Sequence, residues 1–249
     1  MPKLLITGDS FSTSLKDDRN PRTWMEQVAT LLGNWDLVNC SIPGSCQDWH
    51  WQFIELNEHD ITPDDQIIIA LTDPSRYWFF EEEPGVTNSH IINFDTTITD
   101  PEKLQAVELF IKHLQRDNLD YQHTLHRLGW LNNIVRLKGW RKPIIIHGAN
   151  RYDFSKPYLD FLTFSNGNLT IVSFLEKGEE KIPFRGVDMR YNHLCLSNHD
   201  ILADKIVDTI LNGVPLDLTN GFIQNIYGPE LLKGNVSDEL SRFLVEDYK

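Results

Sequence analysis

The stretch that decides the fold is Asp65-Gln-Ile-Ile-Ile-Ala-Leu71, in which two polar residues precede an unbroken apolar run. A short run of β-branched and apolar residues is typical of a strand that is buried on both faces of a sheet. Lys3-Leu-Leu-Ile-Thr7 and the segment from Trp140 to His147 have the same character. Asp36 to Asn39 and Leu169 to Phe174 are two further candidates. The sequence therefore predicts five short strands.

Segments with helical spacing of their apolar residues separate these strands. Pro21 to Leu32 and Gln47 to Leu56 are two such segments, and Ser197 to Leu211 is clearly amphipathic. Glu102 to Leu137 has room for one helix or two, with a break near Arg116 to Asn118. Strands that alternate with helices form parallel βαβ units. We therefore expect an α/β fold, a three-layer α/β/α sandwich with a central parallel sheet.

The chain is long enough for one well-filled domain, which we place at residues 1–212. A helical insertion around 85–138 interrupts it, after a polar and irregular stretch from Pro84 to Asp100. Residues 213–249 form a C-terminal extension with several prolines and glycines, and we expect a short helix over Ser237 to Leu244 within it. The sequence leaves the role of this extension open, including whether it joins copies of the chain into an oligomer.

Composition and charge exclude several classes of protein. Of the 249 residues, 41% are hydrophobic, which is ordinary for a globular domain and unlike a disordered chain. With 23 Lys and Arg against 36 Asp and Glu, the formal net charge is −13. No basic cluster is present to bind nucleic acid or an anionic membrane, so we expect neither as a partner.

Cysteine content and apolar run length bear on the compartment. The three cysteines, Cys40, Cys46 and Cys195, are too few for a disulfide framework and lack metal-ligand spacing. No apolar run is long enough to span a membrane or to form the core of a signal peptide. We therefore expect a soluble, cytoplasmic protein that uses neither metal nor cofactor.

Three predicted turns contain residues that can carry chemistry. Gly8-Asp-Ser10 follows the first strand, Pro43-Gly44 follows the second, and Thr72-Asp73 follows the third. The carboxyl ends of parallel strands meet at one edge of the sheet, where ligands bind. Ser10 falls near a helix N-terminus, where N–H groups favour negative charge, so a nucleophile there has an oxyanion donor beside it. Gly44 has no side chain to obstruct a second N–H.

A serine nucleophile also needs a base. The candidates lie late in the chain, where His193 precedes the last long helix and His199 falls at its start. Either imidazole is a candidate for this role, because histidine is the side chain most often used as a general base.

These residues stand in motifs that resemble the SGNH/GDSL hydrolase family of esterases, lipases and related acyl hydrolases. Its first block matches Leu4 to Ser12, and its second matches Val38 to Gly44. The third is half kept in Ala70 to Asp73, in a form similar to SGNH-like proteins of bacterial viruses, and the last resembles His193 to Ala203. The blocks occur in the family's order between Pro2 and Leu211. The resemblance implies the flavodoxin-like SGNH hydrolase fold.

The resemblance also assigns roles. Ser10 would be the nucleophile and His193 the general base, because the helix pattern after His199 aligns His193 with the family's base. His199 would then be a structural partner in the first turn of the helix. The oxyanion hole would consist of the N–H groups of Ser10 and Gly44 with the side chain of Thr72. The implied activity is hydrolysis of a small-molecule or carbohydrate ester, with removal of O-acetyl groups from a carbohydrate as one specific form.

Two positions depart from the family. Thr72 stands where the family has an oxyanion asparagine, and Arg190 stands where it has the acid of the triad. Asp188, five residues before His193, is an alternative acid. Otherwise the site is a Ser-His dyad in which a backbone carbonyl orients the imidazole. These departures also motivate a rival hypothesis, a binding or structural protein that kept the fold and lost efficient catalysis.

Other residues near the predicted edge have alternative interpretations. We expect Asp9 to cap the turn rather than to react, and for Asp73 we favour capping of the next turn over contact with a substrate. A nucleotide-binding protein is disfavoured, because neither G-x-G-x-x-G nor G-x-x-x-x-G-K-[ST] occurs. The candidate residues of a substrate pocket are Asp73, Arg76, Trp78 and His147.

Overall fold

The computed structural model describes residues 1–13, 23–33, 35–77, 100–148, 152–169, 194 and 196–222. Five strands form one sheet: β1 (Lys3–Thr7), β2 (Asp36–Asn39), β3 (Gln66–Leu71), β4 (Ile144–His147) and β5 (Thr163–Asn168). The helices are α1 (Trp24–Leu31), α2 (Gln47–Asn57), α3 (Pro101–His113), α4 (Asp117–Lys138) and α5 (Leu196–Asn212), with a 3₁₀ helix at Ser10–Ser12.

All neighbouring strands are parallel, in the order β2-β1-β3-β4-β5. Strand β1 lies between β2 and β3, so that Leu5 pairs with both Val38 and Ile67. The chain therefore moves outward from β1 to β2 and then returns across β1 to β3. A crevice opens at such a switch point, outside the carboxyl ends of the two central strands. This topology indicates that a ligand site lies after Thr7 and after Leu71.

Helices cover both faces of the sheet. Leu4 and Ile6 of β1 face a core formed with α1 and α5, whereas Leu5 between them faces a core formed with α2 and α4. The alternation follows from the pleat of a strand, which points successive side chains to opposite faces. Trp24 anchors the first core and Trp51 the second, and both are almost completely buried. The predicted three-layer α/β arrangement with a parallel sheet is confirmed.

Most predicted elements are found close to their expected positions. The long helical segment is two helices, α3 and α4, and the break falls at residues 114–116, close to the predicted point. Strand β4 is shorter than predicted and begins at Ile144, directly after Pro143, which has no N–H to donate to a ladder. Among the described residues, no helix has the length and apolar character needed to cross a membrane.

The fifth strand of the sheet is one that the sequence did not predict. It spans Thr163–Asn168 rather than beginning at Leu169, and residues 170–174 of the predicted strand lie outside the described residues. Its sequence, Thr-Phe-Ser-Asn-Gly-Asn, lacks the apolar run of the central strands because it is at the border of the sheet. On its far side, Asn166 bridges to Asp217, which ties the start of the C-terminal extension to the sheet. The predicted helix from Ser237 to Leu244 lies outside the described residues.

Candidate functional site

The turn after β1 is built around Gly8. A Cβ placed on Gly8 would collide with the Ser12 hydroxyl and lie 2.7 Å from the Ala70 Cβ, so only glycine fits. The chain then enters the 3₁₀ helix Ser10–Ser12, and the Asp9 side chain caps it by accepting a hydrogen bond from the Phe11 N–H at 3.1 Å. Ser10 is therefore the first residue of a short helix and is partly exposed.

The loop after β2 is fastened to this turn. The Gly8 carbonyl accepts hydrogen bonds from the Ile42 N–H at 3.1 Å and from the Ser45 hydroxyl at 2.9 Å. The Asn39 side chain donates to the carbonyl at the end of the 3₁₀ helix at 2.9 Å. Within this loop Gly44 has φ of 75°, a left-handed conformation that favours glycine. The structure thus brings the predicted first and second blocks together.

The Asp9 carboxylate joins the first block to the third. Its Oδ2 accepts hydrogen bonds from the Thr72 hydroxyl and from Nη1 of Arg76, both at 2.8 Å. Asp9 is 1% exposed and the Arg76 side chain 13% exposed, so this is a buried ion pair. The pair spans the switch point between β1 and β3. The expectation that Asp9 caps the turn is confirmed, and its second function, anchoring the third block, was not predicted.

This arrangement bears on the predicted oxyanion role of Thr72. A threonine hydroxyl carries one proton, and Thr72 donates that proton to Asp9. In this geometry the hydroxyl has no second proton to offer an oxyanion. The role of Thr72 in an oxyanion hole stays a prediction, and it requires the hydroxyl to leave Asp9. The Ser10 and Gly44 N–H groups stay the predicted donors of the oxyanion hole.

Of the two histidines of the last block, the structure describes only His199. His199 is buried, and its Nδ1 accepts a hydrogen bond from the Trp24 N–H at 3.2 Å, at the start of α1. This is the structural role that the sequence predicts for His199. His193 and the two alternative occupants of the acid position, Asp188 and Arg190, lie outside the described residues, so the identity of the base and of the acid stays a prediction.

Among the candidate pocket residues, Asp73 and Arg76 bind other residues of the protein. The Asp73 carboxylate accepts hydrogen bonds from the N–H and the hydroxyl of Ser75, at 2.8 and 2.6 Å, so it caps the turn after β3. Arg76 is held by Asp9, as described above, and Trp78 lies outside the described residues.

His147 ends β4 on the same edge of the sheet. Its Nδ1 lies 3.1 Å from the Ser165 carbonyl, and burial lowers its pKa. The ring lines an open cleft of about 420 Å³ at the ends of β4 and β5, whose wall includes Tyr152, Asp153 and Phe164. His147 therefore both makes a local hydrogen bond and lines the cleft, the two alternatives that its sequence position allows.

Two residues of α2 support the site and were not predicted. His50 is fully buried beneath the turn, with its Nδ1 3.1 Å from the Thr7 hydroxyl, and burial lowers its pKa to about 4. Gln47 donates to the Thr72 carbonyl and accepts from the Thr124 hydroxyl, both at 2.8 Å, and thereby ties the end of β3 to α4. Their position at the start of the helix after the second block is the only sequence signal for either.

The described part of the chain contains no group of three or more His, Cys, Asp or Glu residues placed to hold a metal ion. Comparison of the whole chain with protein-family models gave no match, and neither did comparison with curated proteins. The geometry of this sheet edge and the motifs that lie there are therefore the observations that bear on function.

Proposed function

We propose that the protein is a serine acyl hydrolase of the SGNH/GDSL type that acts on an ester through Ser10. The observation that carries the proposal is the convergence of three sequence blocks on one crevice. The Gly8 carbonyl holds the loop of the second block, and the Asp9 carboxylate holds Thr72 of the third. These residues are distant in sequence and meet at the topological switch point, where open parallel sheets bind ligands.

The position of Ser10 suits a nucleophile. It begins a 3₁₀ helix at the carboxyl edge of the sheet and is partly exposed, whereas Ser12 in the same turn is buried and donates to the Asp9 carbonyl. An oxyanion formed on attack would meet the Ser10 N–H and the N–H of Gly44, whose left-handed φ and missing side chain leave room for a substrate.

The proposed base is His193. Leu194, the next residue, is buried in the same core cluster as Phe11, the residue after Ser10. In the proposed mechanism His193 takes the Ser10 proton as Oγ attacks the ester carbonyl. The imidazolium then gives that proton to the leaving oxygen as the tetrahedral intermediate collapses with loss of the alcohol. Water then attacks the acyl-serine, again with His193 as the base, and releases the acid. Asp188 or a backbone carbonyl would orient the imidazole.

Asp9 and Arg76 act as positioning residues in this proposal. Their ion pair holds the Ser10 turn against the turn after β3, at the switch point of the sheet. Because both groups are buried, the pair resists changes of register between the turn and the strand end. Neither residue is assigned to contact the reacting atoms.

The test is a pre-steady-state burst with p-nitrophenyl acetate. We expect the wild type to release nitrophenol in a burst stoichiometric with protein, because acylation of Ser10 precedes slower deacylation. Ser10→Ala should abolish the burst, and His193→Gln should slow it strongly. Ser12→Ala is the matched control, since it removes a hydroxyl from the same turn and should leave the burst in place. Equal behaviour of the wild type and Ser10→Ala would overturn the proposal.

A second candidate is a binding protein on the same scaffold that has lost efficient catalysis. It is favoured by the hydrogen bond from the Thr72 hydroxyl to Asp9, which removes the third donor from the oxyanion hole. Loss of one such donor lowers the rate by about 10²–10³. A folded wild type that binds a ligand at this edge and shows no burst would support this candidate over the hydrolase.

A further inference from the structure

Three asparagines of the chain are each followed directly by a glycine: Asn166, Asn212 and Asn220. This pair of residues permits a reaction that needs no enzyme, because glycine has no side chain to shield its backbone nitrogen from the asparagine side chain before it. All three asparagines are exposed, so water reaches each of them. The peptide bonds that follow them differ in how they are held.

Backbone hydrogen bonds hold two of these three peptide bonds. The Asn166 carbonyl accepts a hydrogen bond from the Leu218 N–H at 2.8 Å, in the bridge that joins the C-terminal extension to β5. The Gly213 N–H, directly after Asn212, donates to the Thr209 carbonyl at 3.1 Å at the end of α5. The glycine nitrogen turns toward the asparagine side chain only when such a bond opens, and opening it costs free energy.

The peptide bond after Asn220 is not held in this way. Neither the Asn220 carbonyl nor the Gly221 N–H has a backbone hydrogen bond among the described residues. Both residues are exposed and lie in a bend beyond the end of α5. This peptide bond is therefore the one of the three that can rotate without breaking a backbone hydrogen bond.

The side chain of Asn220 belongs to a polar cluster around Asp217. The Asp217 carboxylate accepts hydrogen bonds from the side-chain amides of Asn220 and of Asn166, the latter at 3.2 Å. It also accepts from the hydroxyl and the N–H of Thr219, and these bonds are the main reason that the pKa of Asp217 is lowered. Because Asn166 is part of β5, the cluster helps to attach the extension to the border of the sheet. A carboxylate in place of the Asn220 amide would replace a hydrogen-bond donor with a second negative charge.

We propose that Asn220 is a site of spontaneous deamidation, and that the product weakens the attachment of the extension to β5. The Gly221 nitrogen loses its proton and attacks Cγ of Asn220, and the side-chain nitrogen takes up a proton and leaves as ammonia. Water then opens the succinimide ring. Cleavage of the bond from the ring nitrogen to the side-chain carbonyl gives aspartate, and cleavage of its bond to the main-chain carbonyl gives isoaspartate. One water is consumed and one ammonia is released, and neither Ser10 nor the proposed hydrolase activity is required.

The site is tested by peptide mapping with mass spectrometry while the purified protein is kept in mildly alkaline buffer. We expect deamidation at Asn220 to be at least about tenfold faster than at Asn166 or Asn212, because the other two require a backbone hydrogen bond to open. In urea, where the fold is lost, the three rates should become similar. Equal rates in the folded protein, or the same ranking in urea, would overturn the proposal.

The effect on the extension is tested separately with a variant that has the charge of the product. Asn220→Asp should make the bridge N–H groups of Asn166 and Leu218 exchange with solvent several-fold faster, as measured by amide hydrogen exchange. The matched control is Asn212→Asp, which makes the same change of charge beside Asp208 of α5 and should leave both N–H groups as in the wild type. Unchanged exchange in Asn220→Asp, or equal acceleration in Asn212→Asp, would refute the weakening of the attachment.

Discussion

His50 makes the stability of the protein depend on pH in a calculable way. Burial is the main reason that its pKa falls from 6.5 to about 4, and nearby Arg76 adds to the effect while Asp9 opposes it. The unfolded chain therefore binds a proton in the range between these values and the folded protein does not. Stability is greatest above pH 6.5 and is lost as the pH falls toward 4.

The magnitude follows from the width of that range. Each pH unit changes the free energy of unfolding by about 1.36 kcal/mol, so the full range of about 2.5 units corresponds to about 3 kcal/mol. Between pH 6.5 and pH 5 the loss attributable to His50 is about 2 kcal/mol. His50→Gln keeps a polar side chain beside Thr7 and does not titrate, so this part of the pH dependence should disappear.

The assay is urea unfolding of the wild type and His50→Gln at pH 6.5 and pH 5. The readout is the change in the free energy of unfolding between the two pH values, compared between the two proteins. Other titrating groups, including His147, cancel because they are present in both proteins. His113→Gln, which removes an exposed imidazole from α3, is the matched control. Equal pH dependence in the wild type and His50→Gln would refute the claim that His50 is buried and neutral beneath the site.

Three further outcomes are expected from the same contacts. Asp9→Asn should lower the free energy of unfolding by about 3–5 kcal/mol in urea denaturation, because it leaves the Arg76 charge buried without its partner; a loss below 1 kcal/mol would contradict this. Gly8→Ala should cost at least about 1–3 kcal/mol in the same assay, because its Cβ collides with Ser12 and Ala70. Gly129→Ala, in the interior of α4 with nothing within 4 Å of the added Cβ, should instead stabilise the protein by about 0.5–1 kcal/mol. Similar effects of the two alanines would show that the turn is looser than described.

Local sequence patterns were sufficient for much of the fold. Strand β3 is predictable because a strand buried on both faces needs a continuous apolar run, and Ile67 to Leu71 supplies one. The break before α4 is predictable because Arg116 to Asn118 interrupts the apolar spacing. Strand β5 was not predicted because a strand at the border of the sheet, with Ser165 and Asn166 at its centre, needs no such run.

The candidate site was predictable only in outline. The turns that contain Ser10 and Gly44 were identified because glycine and serine mark tight turns after strands. The partnership of Asp9 with Arg76 was not, since 67 positions separate the two residues and nothing in either local sequence specifies the other. The burial of His50 was missed for the same reason: its hydrogen-bond partner is Thr7 at the end of β1, which lies 43 positions earlier in the chain.

The most direct test of the central claim is to locate the covalent adduct formed with a fluorophosphonate probe. Intact-mass analysis followed by peptide mapping would identify the modified residue, with circular dichroism to confirm that each variant is folded. We expect a single adduct on Ser10 in the wild type and in Ser12→Ala, and none in Ser10→Ala. A folded wild type that forms no adduct, or an adduct that persists on another residue in Ser10→Ala, would contradict it.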